Sequence, residues 1–220
     1  MATTTTGTSG ENGRSARSRL KMMRVAEELF ARDGINEVSL RTIAAAAGQL
    51  NVAAVQYHFG GRDGLLRAIF EYRVREMEVT RKAKLECLGA LRSISDRDLL
   101  GLVYEPYLDL TNEDGDHCYA RLLLTYLTRF GRHAVPHPAE DETSEELVIP
   151  RILAELRRRL DQHEAGKADA RTLMMTTGFL SLLCEHDVRR DAGMDVDDVR
   201  ELASWSLDLM AAAFSLHGKQ

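Results

Sequence analysis

The sequence predicts an all-α chain: a small three-helix unit near the N-terminus, followed by a larger helical body, with about nine to ten helices in all. Two observations carry this. Apolar residues recur at three- and four-residue spacing along almost the whole length, and no segment alternates as a strand does. Glycines fall between short helical stretches in the first third, at Gly34, Gly48 and Gly60-Gly61, and there cut the chain into compact pieces.

Residues 1–16 are read as a disordered tail. The first thirteen are mostly Thr, Ser and Gly and bury too little to offset ordering entropy. Arg14, Arg17, Arg19, Lys21 and Arg24 follow with no acid among them, as either a phosphate-reaching cluster or a solvated helix start. Leu20, Met23, Ala26, Leu29 and Phe30 mark the first helix, from about Ser18 to Asp33-Gly34. Ser39 suits the N-cap of a second, from Leu40 to Ala47. Asn51 suits the cap of a third, from Val52 to about His58. Two helices joined by a short turn holding Gly48 make a helix-turn-helix, at about residues 40–59. Arg62-Asp63 opens a fourth helix with Leu65, Leu66, Ile69, Phe70, Val74 and Met77 on one face. Later helices are expected at 84–93, 96–111, 116–131, 144–163, 167–189 and 195–216, with Asp96, Ser144 and Asp195 as caps. A loop with two prolines and three acids, 131–143, is read as mobile.

Charge divides along the chain. Residues 1–67 hold nine Lys/Arg against six Asp/Glu, while 68–220 hold twenty against twenty-eight. A weakly basic head on an acidic body turns one end toward phosphate. No apolar run is long enough to span a membrane and no secretory signal is evident, so a cytoplasmic location, with no membrane partner, is expected. The three cysteines, Cys87, Cys118 and Cys184, are widely spaced and fit buried free thiols better than disulfides or zinc ligands. No nucleophile elbow, phosphate loop, dinucleotide fingerprint or zinc-protease motif occurs, so neither catalytic residues nor a cofactor nor a metal is expected.

The stretch from Val25 to Phe70 resembles the DNA-binding domain of the TetR family of transcription regulators. The matching residues are Ala26–Gly34 (AEELFARDG), Val38–Gly48 (VSLRTIAAAAG), Val55–Gly60 (VQYHFG) and Arg62–Leu66 (RDGLL). The resemblance implies a DNA-binding domain over 17–77 and a ligand-sensing, dimerising domain over 78–220. It also implies a homodimer on double-stranded, pseudo-palindromic DNA, commonly a repressor released by a small-molecule effector. A ligand-independent DNA-binding protein and an activator of the same fold are the alternatives. Tyr57 and His58 match the pair that grips phosphate, Arg41 and Thr42 the start of the second helix, and Arg62 the basic residue opening the fourth. The chain departs from many members at Gly48–Ala53 (GQLNVA), where no Lys or Arg is offered to the groove.

Helix geometry supplies the rest of the expected interface. Val55 and Phe59, four residues apart, can lock the third helix inward, leaving Val52, Ala53, Gln56 and Tyr57 outward, with Gln49, Leu50 and Asn51 in the turn before them. Gln56 is the best base reader, since its amide can both donate to and accept from adenine. In the body, Tyr104, Tyr107, His117, Cys118, Tyr119, Leu123, Met174, Phe179 and Cys184 combine apolar bulk with a few polar groups, as a ligand pocket requires. The last two helices carry wide apolar stripes. Leu173, Thr177, Leu180 and Leu183 form one, with Gly178 allowing close approach, and Leu202, Trp205, Leu209 and Ala212 form the other. These are the expected dimer faces.

Overall fold

A computed structural model of the chain describes residues 8–49, 51–130, 135–163 and 166–215, without the side chains of 8–12, 163 and 215. Among the described residues there are nine α-helices and no strand: α1 (Thr8–Asp33), α2 (Leu40–Ala46), α3 (Ala53–Phe59), α4 (Arg62–Leu88), α5 (Asp96–Tyr104), α6 (Cys118–Thr125), α7 (Ile149–His163), α8 (Ala168–Asp191) and α9 (Val199–Ser215). None is long and apolar enough to cross a membrane.

Several boundaries differ from expectation, each for a local reason. Helix α1 begins at Thr8 rather than near Ser18, so the tail expected over 1–16 is helical from its eighth residue. Once a nucleus is packed, each added residue gains a backbone bond at little entropic cost. The expected fourth helix and the one expected at 84–93 are one helix: nothing interrupts α4 before Gly89, whose φ of 91° takes the left-handed turn that ends it. It therefore crosses residue 77, the expected domain boundary. Helix α5 stops at Tyr104 and continues as a 3₁₀ turn, Glu105–Asp109, with Pro106 near its start. Helix α6 similarly loosens into a π turn at Tyr126–Phe130. The caps are also displaced. Ser95, not Asp96, caps α5; Asp198, not Asp195, accepts the Arg200 and Glu201 amides of α9. Ser144 caps nothing, because the first amides of α7 are taken by Glu78, at 2.6 Å from Val148 and 3.3 Å from Ile149. Of the loop expected to be mobile, residues 131–134 lie outside the described set, while Val135 and His137 are buried. Cys118 is buried as expected, but Cys87 is exposed at the end of α4 and Cys184 is half-buried.

The body wraps around α4 and α6. Helix α6 lies between α1 and α8, α5 packs on α7 and α9, and α8 lies against α7 and α9. One apolar core runs from Met22 and Phe30 of α1 through Leu65, Phe70 and Val74 of α4 to Tyr119, Phe179 and Leu183. The head is not hinged freely on this core. Arg73 of α4 grips Glu27 of α1 through Nε and Nη2, both at 2.7 Å, with both side chains buried, and reaches Glu76 with Nη1. Burial pushes the Glu27 carboxyl up against the pull of Arg73. Burial also opposes charge on Arg73, but its bonds to Glu27 and Glu76 outweigh this and raise it. Two parallel 2.7 Å bonds mark the ionised pair as the resting form. Arg159 does a comparable job lower down: it donates to the carbonyls of Leu91 and Ile94 and to Asp96 and Glu155, fixing the α4–α5 turn.

Removing one partner of the α1–α4 pair strands a buried charge. Arg73→Met is expected to cost about 3–5 kcal/mol in urea unfolding, and the double variant E27M/R73M is expected to recover most of that loss. A double variant no more stable than Arg73→Met would show that the pair is held by packing alone.

Candidate nucleic-acid interface

The second and third helices are set by a chain of short local contacts. Ser39 Oγ accepts the Thr42 amide at 3.0 Å, capping α2 as expected. Ile43, Ala44 and Ala47 face inward. Gly48 has φ of 72°, which reverses the chain, and the Gln49 amide closes the turn on Ala44 O at 2.8 Å. Asn51 Oδ1 accepts the Ala53 amide at 2.9 Å and so closes the turn into α3 from one residue ahead of its cap position, Val52. Val55 is fully buried and Phe59 packs partly buried beneath the Arg19 guanidinium, 5.1 Å from its ring. The far end of α3 meets α4 at Gly64, where a Cβ would lie 1.8 Å from Phe59 O, so only glycine permits this approach.

With α3 pinned on that side, Ala53, Gln56 and Tyr57 face solvent, while Val52 and His58 are half-buried. Tyr57 is 84% exposed; its one ring contact is the edge of His58 at 5.2 Å. Gln56 is not idle: its Nε2 donates to Gly60 O at 3.2 Å, helping to cap its own helix. Arg41 and Thr42 are exposed at the start of α2, where the Thr42 hydroxyl bonds Ser39 Oγ at 2.8 Å. Leu50 lies outside the described residues. Gln49 is half-buried, donating from Nε2 to Ser18 Oγ on α1 at 2.9 Å, so it braces the turn. Arg62 is also engaged, with Nη1 on Asn36 O at 3.1 Å and Nη2 on Val38 O at 2.8 Å. These bonds tie the α1–α2 loop to the start of α4, a long-range partnership that sequence spacing does not reveal. The basic cluster of α1 lies beside this surface. Arg14, Arg17, Lys21 and Arg24 are exposed, and Lys21 Nζ would be 3.4 Å from a Cβ on Gly48.

The body holds a cavity of about 70 Å³ beneath the segment that joins α6 to α7. Of the nine expected pocket residues, Tyr104, Tyr107 and Leu123 line it. The others do not. Met174 is 72% exposed on the outer side of α8, because the helix turns its neighbour Met175 inward instead. Phe179 stacks behind Tyr104 at 5.1 Å. Tyr119 lies one layer back, its hydroxyl 2.9 Å from His137 Nε2. His117 is spent on buried Asp187, through Nδ1 at 2.8 Å and its amide at 2.7 Å. Cys118 accepts from Asn112 Nδ2, and burial pushes its thiol up to about 12. Burial likewise raises the Cys184 thiol against the pull of Arg121, and this residue is absent from the cavity wall. The lining that spacing did not identify includes Met77 and Arg81 of α4, His137 of the connecting segment, Arg157 of α7 and Thr176 of α8. Among the described residues, no His, Cys, Asp or Glu cluster suits a metal.

The expected dimer residues are split. Leu180 is fully buried in the chain's own core, as is Leu183, so that stripe does not form one outward face. Leu173 and Thr177 are half-buried and Gly178 is exposed. On α9, Trp205 (61% exposed) and Leu209 (59%) stand out with Ala212, and Leu202 is half-buried. The exposed α8 line is Met174, Gly178, Ser181, Glu185 and Val188.

Residues 23–69 match the family model described as bacterial regulatory proteins, tetR family. Among solved structures, one described as the molecular basis for control of antibiotic production by bacterial hormones aligns with TM-score 0.51 at 17% identity, over 90% of this chain and 97% of that one. A gamma-butyrolactone receptor (ArpA-like protein) aligns at 22% identity and TM-score 0.49, over 92% and 97% of the two chains. NalD, the secondary repressor of the MexAB-OprM multidrug efflux pump in Pseudomonas aeruginosa, aligns at 21% identity and TM-score 0.45, over 90% and 95%. The first of these shows that the fold is shared along nearly the whole chain. No curated protein sequence matches it.

Arg62 and Tyr57 are expected to behave oppositely in thermal unfolding. Arg62→Ala removes two carbonyl partners and should cost about 1–3 kcal/mol. Tyr57→Ala, on a side chain almost wholly in solvent, should stay within about 0.5 kcal/mol of the parent. Equal losses would mean that Tyr57 is packed in the folded protein.

Proposed function

We propose that this chain, whose residues 23–69 match the model of the tetR family of bacterial regulatory proteins, is a repressor that grips a pseudo-palindromic duplex as a homodimer and is released by a small-molecule effector. The observation that carries the DNA-binding part is the outward face of α3. A helix locked by fully buried Val55 presents Ala53, Gln56 and an 84%-exposed Tyr57, and none of the described residues covers them. A large aromatic in water is best explained by a partner that covers it.

Each part of the site has a role in this reading. Gln56 exchanges its bond to Gly60 O for an adenine edge. Val52 and Ala53 meet thymine methyls. Tyr57 and His58, with Arg41 and Thr42, hold the phosphates on either side. Gln49 and Asn51 act by shaping the turn, and Arg62 by fixing the loop ahead of α2. With no cation entering the groove from α3, DNA shape supplies much of the discrimination.

Dimerisation is supported by the exposed apolar groups of α8 and α9. Trp205, Leu209, Met174 and Val188 are all more than half exposed. Two-fold pairing of this face would bury them and set two copies of α3 about 34 Å apart, one turn of DNA. Release by an effector is supported by α4. That helix carries Arg73, clasped to the head, and also Met77 and Arg81, which line the body cavity. A ligand that binds better to one setting of α4 shifts the population by its differential affinity.

Selection from random duplexes, followed by fluorescence anisotropy against salt, tests the interface. Arg41→Ala should weaken all sequences alike and reduce the salt slope by about one, whereas Gln56→Ala should relax preference at one position per half-site. A selected motif unchanged by Gln56→Ala would remove it as a reader. For assembly, sedimentation should find a dimer, and Trp205→Glu should shift it to monomer with loss of tight DNA retention. A monomeric parent that still binds a palindrome tightly would refute the paired reading.

A further inference from the structure

Most of the cavity wall is apolar: Val74, Met77, Val103, Leu123, Ile149 and Leu153. Among its polar groups, one has no partner and one is only loosely matched in charge. Tyr107 is buried, with its ring stacked on Tyr119 at 6.0 Å, and among the described residues its hydroxyl has no hydrogen-bond partner. Arg81 is buried to 2% exposure, yet the carboxylate nearest to it, Glu78, is 3.5 Å away and already accepts the Val148 and Ile149 amides. Its other contacts are neutral: Leu102 O at 3.1 Å, Val103 O at 3.4 Å and the Met77 sulfur at 3.4 Å. A buried guanidinium whose carboxylate bond is this long is costly, and burial accordingly pulls Arg81 below its ordinary value against the pull of Glu78.

A second cation reaches the same wall. Arg157 Nε lies 3.1 Å from Asp169 Oδ1 but outside hydrogen-bond geometry, so this buried N–H is unmatched, and Asp169 itself is exposed. The acid on the lining is Glu140. The wall therefore combines a hydrocarbon surface, an unpartnered hydroxyl and two guanidinium groups, one buried and one half-buried, each loosely matched by its carboxylate.

We propose that this cavity binds a short-chain aliphatic monocarboxylate, its head on Arg81 and the Tyr107 hydroxyl and its hydrocarbon against the α4, α6 and α7 side chains. The inference rests on the reading of the body as a sensor and names the ligand class of that site. A volume of about 70 Å³ corresponds to roughly five to seven water-sized atoms, at about 10–15 Å³ each. A carboxylate supplies a closer counter-charge than Glu78 and an acceptor for the Tyr107 hydroxyl in one planar group that matches a guanidinium. A neutral ligand of the same shape would leave Arg81 as it is. Entry is available from the groove between α4 and the 136–147 segment, which shares Val74, His137 and Glu140 with the cavity.

Calorimetric titration of the DNA-free, full-length protein with propionate, butyrate and pentanoate, each beside its primary amide, tests this. At least one acid should bind saturably and its amide at least about tenfold more weakly. Tyr107→Phe should weaken the acid by about tenfold, as loss of a hydrogen bond to a charged group does. The ligand-free unfolding temperature of that variant should match the parent's, because the hydroxyl has no partner to lose. An amide that binds as tightly as its acid would overturn the proposal. So would a Tyr107→Phe variant that binds the acid as the parent does, or the absence of saturable binding across the series. DNA retention measured on the same preparation separates two failures. Protein that holds DNA but no acid loses this inference alone; protein that holds no DNA loses the regulatory reading beneath it.

Discussion

The bidentate pair between Glu27 and Arg73 stands where the small N-terminal head meets the body, and the rest of the architecture is arranged around it. Charges this deeply buried are tolerated only in matched geometry, so α1 and α4 keep one angular setting while the pair is intact. Helix α2 and helix α3 hang from that frame through the apolar packing of Ile43 and Val55, and Arg62 closes the loop between α1 and α2. The outward face of α3 is thus positioned by contacts on the far side of the domain. Precision in such a face comes from the shell behind it.

Helix α4 continues from this pair into the body without a break. Little more than a turn beyond Arg73 it carries Glu78, which caps α7, and then Arg81, which holds the carbonyls of Leu102 and Val103 in the last turn of α5. The polar groups of α4 therefore bind three other elements in succession, one from the head and two from the body. A displacement of α7 or of the 135–148 segment is felt by Glu78 directly. Such a series of discrete, hydrogen-bonded contacts gives a helix two settings more readily than a uniform apolar face does.

Much of the head was legible in the sequence. Ser39 and Asn51 are capping residue types immediately before apolar-periodic runs; Ser39 caps α2 as expected, while Asn51 bonds the Ala53 amide from one residue ahead of the α3 cap position, Val52. Val55 is inward and Tyr57 outward because a helix of known phase has little choice once its core residue is identified. Local rules failed where a side chain answers to a distant one. Arg62 and Gln49 read as DNA contacts, but their partners are Val38, Asn36 and Ser18, remote in sequence. In the body, Met174 and Met175 are equivalent by composition, and only the packing of α8 decides which is outside. The same holds for Leu180, whose stripe looks continuous with Thr177 and Gly178 until α6 and α9 are placed against it.

The sequence by itself determined the helical class, the helix-turn-helix with its caps and turns, and the family of the head, because these depend on periodicity and on residues within a few positions of one another. Tertiary structure alone decided which polar groups are spent on the protein and which are left over. Arg81, Tyr107, His137 and Arg157 come from four separate segments, and nothing in their spacing brings them to one cavity. Burial and hydrogen-bond saturation belong to the folded surroundings of a group rather than to its residue type, so they appear only when distant segments are packed together.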